Sequence, residues 1–209
     1  MFSALREAHL TAQPTKVVLG MSELKFLGHI VGSGNKAVDT DKINILNQIK
    51  IPRNKKEVRS FLGFISFYKS FIKSFSELAA PLSDLLRKDS SELVPWTETA
   101  NRAFQTLKRA LQQAPILVAP DFNKRMFVMV DSSQIAVGGV LCHKESEQMR
   151  PILFIGRKFS QAETKLSATE RELLGILTVL NKLRYYLIGR NFTLLTDARG
   201  LIYLKDTVS

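Results

Sequence analysis

Two aspartates in this sequence stand at the ends of apolar runs, where a carboxylate could take part in chemistry. Asp131 closes the run 126–130, and Asp197 closes the run that begins at residue 191. Runs of this kind predict buried strands. A carboxylate at the end of a buried strand is held rigidly and is partly dehydrated, which suits a ligand of a hard metal ion. The alternative for Asp131, taken alone, is that it caps a turn, since Ser132 and Ser133 follow it.

A third carboxylate comes from an amphipathic helix that is predicted to begin near residue 167. Residues 167–170 (SATE) fit a capping box, which gives Glu170 a structural task. Apolar residues then recur at helical spacing from residue 173 to residue 187. At ~100° per residue, Glu172 lies roughly 60° from the centre of the apolar arc, and Glu170 roughly 100° from it. We therefore choose Glu172 as the ligand that could join the two aspartates at one end of a sheet.

The elements that must position these carboxylates are three strands, the helix and a fourth strand. Gly138 and Gly139 open the apolar run of a returning strand, residues 144–150 form a polar turn, and residues 151–155 supply the third strand. The predicted order along the chain is therefore strand, strand, strand, helix and strand. A last helix is predicted to begin at residue 198. Residues 157–160 (RKFS) could contact a phosphate or form a solvated loop.

The first 120 residues predict a small hairpin and a set of helices. Residues 1–10 predict a helix, residues 17–19 and 25–30 predict a hairpin around residues 20–22, and residues 32–35 predict a loop. Helices follow over 41–50, 54–75 and 96–115, and 116–120 is extended. The aromatic residues of the second helix could stack on bases, but their helical spacing favours a place in the core.

The chain carries a strong excess of positive charge. It has 30 Lys and Arg against 19 Asp and Glu, for a net charge of +11. This excess favours a polyanionic partner, most often nucleic acid. Ten basic residues stand against three acidic ones between Lys42 and Lys88, which indicates a surface that follows phosphates. The candidate contacts are Lys42, Arg53, Lys55, Lys56, Arg59, Lys69 and Lys73.

Length and composition limit the class of protein. With 209 residues, of which 45% are hydrophobic, the chain should fold as one or two globular domains. The single cysteine, Cys142, excludes an internal disulfide and a Cys-rich zinc site, which favours a reducing compartment. No apolar run reaches the ~18 residues of a membrane span, and no signal-peptide pattern is present. We expect an intracellular protein, in a cytoplasmic particle or in the nucleus, that is not secreted.

Several ordered segments resemble one family. VDSSQIAVGGVL, SATERELLGIL and LLTDARGLIYL resemble the ribonuclease H (RNase H) domain of reverse transcriptases from gypsy-type LTR retrotransposons. FLGHIVG (26–32), VRSFLGFISFYKSFI (58–72), AAPLSDLLRK (79–88) and RAFQTLKRALQQAPIL (102–117) resemble the segments that precede that domain in the same Pol polyproteins. The resemblance covers nearly the whole chain, in the same order.

The resemblance implies a mixed α and β architecture in three parts. Residues 1–38 would be the end of the polymerase palm with a primer-grip hairpin, and 39–120 a helical thumb-like and connecting region. Residues 121–209 would be an RNase H-like mixed sheet with a crossover helix, truncated at its C-terminus. By resemblance, the hairpin residues Phe26, Gly28 and His29 would support the primer terminus. The partners would be an RNA–DNA hybrid or a primer–template duplex and the rest of the polyprotein, with no membrane.

The resemblance also implies hydrolysis of the RNA strand of a hybrid by two Mg²⁺ or Mn²⁺ ions, held ~3.5–4 Å apart. Asp131 would bridge the ions, and Glu172 and Asp197 would complete the sites. The family uses a fourth acidic residue downstream, and we expect this chain to end before it. The YxDD-type motif of the polymerase is absent from the sequence. Two hypotheses therefore stand: a fragment of a catalytic enzyme, or a non-catalytic remnant that binds nucleic acid.

Overall fold

The computed structural model describes residues 2–11, 13, 17–87 and 93–197. These residues form seven α-helices and two four-stranded sheets, which confirms the mixed helix and sheet class. Helix α1 spans Phe2–Glu7, within the predicted first helix. Among the described helices, none combines the length and apolarity needed to cross a bilayer.

The first sheet joins a double hairpin to a distant segment. Strands β1 (Glu23–Phe26), β2 (His29–Gly32) and β3 (Asn35–Val38) are antiparallel neighbours, and β4 (Leu117–Val118) pairs with β3. The prediction of a first strand over residues 17–19 was wrong. Instead the chain reverses at Leu27-Gly28 and again at Ser33-Gly34, where all four φ angles are positive. Two-residue turns with this backbone match the twist of hairpin strands.

The helical region is more broken than its sequence pattern indicates. Helices α2 (Thr40–Gln48) and α3 (Lys55–Phe67) are followed by a 3₁₀ turn (Lys69–Phe71) and by α4 (Phe75–Leu78), α5 (Ala80–Asp84) and α6 (Glu98–Gln112). The prediction of one helix over 54–75 was therefore wrong in length. Ser74 adopts a φ of 53°, a left-handed conformation that periodicity does not reveal.

The second sheet has the predicted order. Strands β5 (Met126–Ser132), β6 (Ala136–Glu145) and β7 (Gln148–Lys158) are antiparallel, and helix α7 (Ala168–Leu187) leads to β8 (Phe192–Leu195). The strand order is β7-β6-β5-β8, with β8 parallel to β5. Strands β6 and β7 are longer than predicted because their polar ends continue the pairing. The helix predicted from residue 198 lies outside the described residues.

Two hydrophobic clusters stabilise the chain, one among the helices and one between α7 and the second sheet. In the first, Phe61 and Phe104 contact each other with ring centroids 4.6 Å apart. In the second, α7 lies so close to the sheet that a Cβ at Gly139 would stand 2.8 Å from both methyl groups of Val179. The two regions also contact each other, since Lys158 Nζ lies 2.8 Å from the Asp84 carboxylate.

Candidate functional sites

Asp131 and Asp197 come together because their strands are parallel neighbours in register. Met129 on β5 pairs with Leu195 on β8, so two residues further on the aspartates occupy matching positions at the same end of the sheet. Both are exposed. They line a cavity of about 450 Å³ together with Lys73. The predicted meeting of these two strand ends is thus present in the structure.

Glu172 does not join them. Ser132 faces α7, since a Cβ at Gly175 would overlap its Oγ. Because side chains alternate along a strand, Asp131 points to the opposite face of the sheet. Glu172 is half-buried on α7 and is not among the residues that line the aspartate cavity. Within the part of the chain that the structure describes, no group of three or more His, Cys, Asp or Glu side chains is arranged to hold a metal ion.

The structural task assigned to Glu170 is confirmed. The Ser167 backbone N–H donates to Glu170 Oε2 at 2.8 Å, and the Glu170 N–H donates to Ser167 Oγ at 3.3 Å, which closes a capping box. The Ser167 N–H is also the main reason that the pKa of Glu170 is lowered. Glu170 is therefore engaged in the start of α7.

The aspartate cavity can offer two hard oxygen ligands to a divalent cation. Two exposed carboxylates suit one such ion, since Mg²⁺ is often bound through one or two carboxylates and keeps several waters. A two-metal site needs more carboxylates than these two. Lys73 and Ser74, at the start of α4, lie over this face, and Ser74 Oγ is 3.4 Å from where a Cβ of Gly138 would stand. The cavity is thus bounded on one side by the helical region.

Five of the seven predicted cationic contacts are exposed: Arg53, Lys56, Arg59, Lys69 and Lys73. Lys42 is half-buried. Lys55 is different, because it is buried and its Nζ donates to the backbone carbonyl of Arg87 at 3.0 Å. As a phosphate contact, Lys55 is therefore a wrong prediction. Its burial depends on a residue 32 positions away, which local spacing cannot show.

The hairpin residues chosen by resemblance also include both exposed and buried residues. Phe26 is exposed. The Gly28 carbonyl accepts a hydrogen bond from the Tyr68 hydroxyl at 3.2 Å, and His29 is buried with its ring stacked 5.1 Å from that of Phe67. Burial, and then the charge of Lys36, lowers the pKa of His29. Gly28 and His29 thus fasten the hairpin to α3, and the prediction that they contact nucleic acid directly is not supported by their positions.

Two residues that sequence reasoning missed lie on the exposed face of α3. Gly63 is in the middle of the helix, and a Cβ there would meet no atom within 4 Å. A mid-helix glycine without a packing partner costs about 1 kcal/mol relative to alanine, so its presence needs another reason. Phe67, assigned to the core by its spacing, is 56% exposed one turn further on. The signal that could have found this face is the glycine inside a helical pattern.

Residues 157–160 do not form a solvated loop, since Arg157 and Lys158 end strand β7. Arg157 binds Glu163 through two hydrogen bonds of 2.7 Å, and Phe159 is buried. This bidentate pair, followed by the Ser160 N–H, lowers the pKa of Glu163 to about 2. The loop alternative for this segment is therefore wrong, and the phosphate contact stays a prediction.

Part of the chain matches a known family model. Residues 96–194 match the family described as the RNase H-like domain found in reverse transcriptase. The match begins two residues before α6 and ends within β8, so it includes β5, β6, β7 and most of β8.

Curated relatives extend this similarity to nearly the full chain. A retrovirus-related Pol polyprotein from transposon 297 of Drosophila melanogaster is 34% identical over 206 residues, which are 99% of this chain and 19% of that polyprotein. The transposon Tf2-3 polyprotein of Schizosaccharomyces pombe is 33% identical over 95% of this chain and 15% of its own length. The chain therefore spans less than a fifth of either relative.

Solved structures share the fold. The foamy viral protease-reverse transcriptase dRH in complex with double-stranded DNA superposes with a TM-score of 0.83 at 23% identity, over 98% of this chain and 36% of that one. The foamy viral protease-reverse transcriptase in complex with an RNA/DNA hybrid gives a TM-score of 0.74 over 90% of this chain and 25% of that one.

Proposed function

We propose that this chain, which carries the RNase H-like domain found in reverse transcriptase and is a fragment of a gypsy-type retrotransposon Pol polyprotein, binds an RNA–DNA hybrid or a primer–template duplex. The observation that carries the proposal is the exposed face of α3, defined by Lys56, Arg59, Gly63 and Phe67. We call it the α3 face.

The chemistry of the α3 face suits a nucleic-acid backbone. Lys56, Arg59 and Gly63 follow one another at spacings of three and four residues, so they lie along one side of the helix. The two cations can neutralise phosphates, and such contacts give affinity without reading sequence. Gly63 lets another backbone approach the helix closely, since no side chain stands in the way. Phe67 adds an exposed ring beside them.

The foamy viral structures support the same proposal, because each of them is a complex with a duplex and shares this fold. Arg53, Lys69, Lys73 and Lys42 would extend the contact from the ends of α3. The division of the chain into a palm end (1–38), a thumb-like region (39–120) and an RNase H-like domain (121–209) is part of the proposal. The rest of the Pol polyprotein would be a further partner.

Adjacent lysines give a matched test of this proposal. Lys56→Met should weaken binding to a short RNA–DNA hybrid about tenfold, since a charged hydrogen bond contributes about 1.5 kcal/mol or more. Lys55→Met makes the same change at the neighbouring lysine, which is buried. It should lower the melting temperature, and it should weaken hybrid binding less than Lys56→Met does. Equal affinities for Lys56→Met and the parent, measured by fluorescence anisotropy, would refute the role of the α3 face.

A second candidate function is metal-dependent hydrolysis of the RNA strand, and the shared cavity of Asp131 and Asp197 favours it. We propose that these carboxylates hold a divalent ion, Mg²⁺ or Mn²⁺, and that Glu172 is the third ligand of a two-ion site in the parent enzyme. The ion would activate water and stabilise the leaving oxygen. Because Glu172 lies outside the cavity, its contribution to metal affinity should be smaller than that of either aspartate.

Metal titration tests this second function directly. Asp131→Asn should weaken Mn²⁺ binding more than Glu172→Gln does, because an amide carries no charge for the cation. Cleavage of a labelled hybrid, with duplex DNA as a control, should depend on the metal and should fail in Asp131→Asn. Metal-dependent cleavage that survives Asp131→Asn would leave only the binding function.

The cellular location of the chain is also part of the proposal. The one cysteine, Cys142, is buried, and burial raises the pKa of its thiol to about 11, so it stays a protonated core residue. A chain with this cysteine needs no oxidising compartment. An intracellular site, in a cytoplasmic particle or in the nucleus, is consistent with an RNA–DNA hybrid as the partner. Fractionation of cells that express the chain would test this.

A further inference from the structure

One space between the two regions is distinct from the aspartate cavity and from the α3 face. It is a cavity of about 810 Å³ that lies where the first sheet, the 3₁₀ turn with α4, strand β7 and helix α7 meet. A volume of this size falls within the usual range for small-molecule pockets, about 300–1,000 Å³. Neither Asp131 nor any residue of the α3 face lines it.

Three lysines line this cavity: Lys36 from β3, Lys69 from the 3₁₀ turn and Lys182 from α7. None of the lining residues is an aspartate or a glutamate. Across the described ranges, none of the three ammonium groups has a carboxylate within ion-pair distance. The local charge at the cavity is therefore positive and uncompensated by the protein.

Three other cations in or beside the second sheet form ion pairs. Lys124, Arg157 and Lys158 are each paired with a carboxylate, at distances between 2.7 and 3.3 Å. By contrast, Lys182 donates to the backbone carbonyl of Gly156, and Lys36 lies over the ring of Phe71 at 5.5 Å. Positive groups that are brought together without counter-charges destabilise one another, and a bound anion would relieve that repulsion.

The pKa values agree with this picture. The pKa of Lys182 is lowered, first by burial and then by the charges of Lys69 and Arg157. Burial also lowers the pKa of Lys36. An anion in the cavity would restore both pKa values toward the ordinary range of a lysine, since an opposite charge favours the charged form.

The walls of the cavity determine what else the ligand should carry. Phe75, Phe154 and Tyr186 contribute rings, and Ser70 and Ser76 contribute hydroxyl groups. Most of the remaining surface is aliphatic, from β4 and β7. Apolar and aromatic walls with a few converging charges are typical of sites for small ligands with a ring and a charged group.

We propose that this cavity, named here the lysine cavity, binds a phosphate monoester attached to a planar ring, of the size of a mononucleotide. The phosphate would lie among Lys36, Lys69 and Lys182, and the ring would lie against the aromatic wall. Lys69 also belongs to the proposed duplex contacts, so the tests depend on Lys36 and Lys182.

Calorimetry on the full chain with three probes tests the lysine cavity: AMP, adenosine and inorganic phosphate. AMP should bind more tightly than either of the others, because only AMP has both groups. Lys36→Met and Lys182→Met should each weaken AMP about tenfold, as expected for a lost charged hydrogen bond. Lys165→Met changes the net charge equally at an exposed lysine that does not line the cavity, and should bind AMP as the parent does.

Several results would contradict a mononucleotide site in the lysine cavity. The proposal is overturned if AMP does not bind, if Lys36→Met and Lys182→Met bind it as tightly as Lys165→Met, or if adenosine binds as well as AMP. A hybrid duplex that displaces AMP completely would show that the lysines belong to the duplex path. A rise in melting temperature with AMP in the parent, lost in Lys182→Met, provides a second readout that does not involve hydrolysis.

Discussion

The α3 face and the aspartate cavity are both charged, but they are built in different ways. The α3 face belongs to a single helix, so its cations, its glycine and its exposed ring are brought into line by local geometry alone. The aspartate cavity is assembled from β5 and β8, which are 66 residues apart in their register, and it is bounded by a third segment at Lys73. The first is complete within 13 residues, and the second depends on the whole fold.

This difference explains why two aspartates meet and the glutamate does not. Register in a parallel pair fixes which residues of two strands are neighbours, so Asp131 and Asp197 follow directly from the pairing. Whether a helix reaches the same side chains depends on which face of the strand they occupy. Asp131 faces away from α7, and Glu172 is on α7. A two-ion site that includes Glu172 would need Glu172 and Asp131 to approach one another around the end of β5.

The largest expected effect comes from charge reversal on the α3 face, which should weaken hybrid binding without changing metal binding. Lys56→Glu with Arg59→Glu should weaken hybrid binding on the order of 100-fold, since two charged contacts become repulsive. The double variant should bind Mn²⁺ as the parent does. Asp131→Asn should weaken Mn²⁺ binding and leave hybrid binding unchanged. Filter binding and metal titration on the same preparations would measure both, and Lys144→Glu with Lys165→Glu is the control of equal net charge. If that control loses as much hybrid affinity, binding depends on net charge and not on the α3 face.

The next comparison uses one glycine from each region. Gly139→Ala should destabilise the fold by about 1–3 kcal/mol, because its Cβ would overlap Val179 in a packed core. Gly63→Ala should stabilise it by about 0.5–1 kcal/mol, because that helix position has open space. Denaturant unfolding measures both free energies.

Gly63→Ala also sharpens the function of the α3 face. If another backbone approaches Gly63, the added methyl group should weaken hybrid binding several-fold while it stabilises the protein. If Gly63→Ala is more stable but binds the hybrid more weakly, the methyl group hinders the duplex and not the fold. Unchanged affinity would mean that Gly63 does not face the duplex.

A smaller effect is expected at the start of α7. Ser167→Ala should lower the free energy of unfolding by ~1 kcal/mol, as the loss of an N-cap usually does. Since Glu170 belongs to this cap, Glu170→Gln should leave metal affinity unchanged, whereas Glu172→Gln should reduce it. A larger loss of metal affinity in Glu170→Gln would show that the wrong neighbour was assigned as a ligand.

The last expected effect is a dependence of stability on pH. The pKa of Glu163 is lowered to about 2 from an ordinary value of 4.5 by Arg157. A carboxyl group with a depressed folded pKa stabilises the protein fully above the unfolded pKa, and this contribution is lost as the pH falls from 4.5 toward 2. Urea titrations across this range should show a shallower fall in stability for Glu163→Gln than for the parent. Parallel curves would mean that the pair does not titrate in this range.

Local patterns predicted what local forces decide. The cap at Ser167 and the succession of three strands, a helix and a strand along the second half of the chain both follow from nearby residues. The burial of Lys55, the left-handed Ser74 and the face occupied by Asp131 do not. Each depends on a contact or a backbone angle set by distant parts of the chain. The same limit applies to Phe67, whose spacing matches the core but whose ring stays 56% exposed and stacks on His29 of the hairpin.

The most direct test of the central claim is the salt dependence of hybrid binding, compared between the parent and Lys56→Met with Arg59→Met. For the parent, the logarithm of the association constant should fall linearly with the logarithm of salt concentration, by about 0.9 for each phosphate that a cation neutralises on a duplex. The double variant should flatten that slope by about 1.8, because two such contacts are removed. A parent slope near zero, or equal slopes for both proteins, would contradict a duplex held through the α3 face.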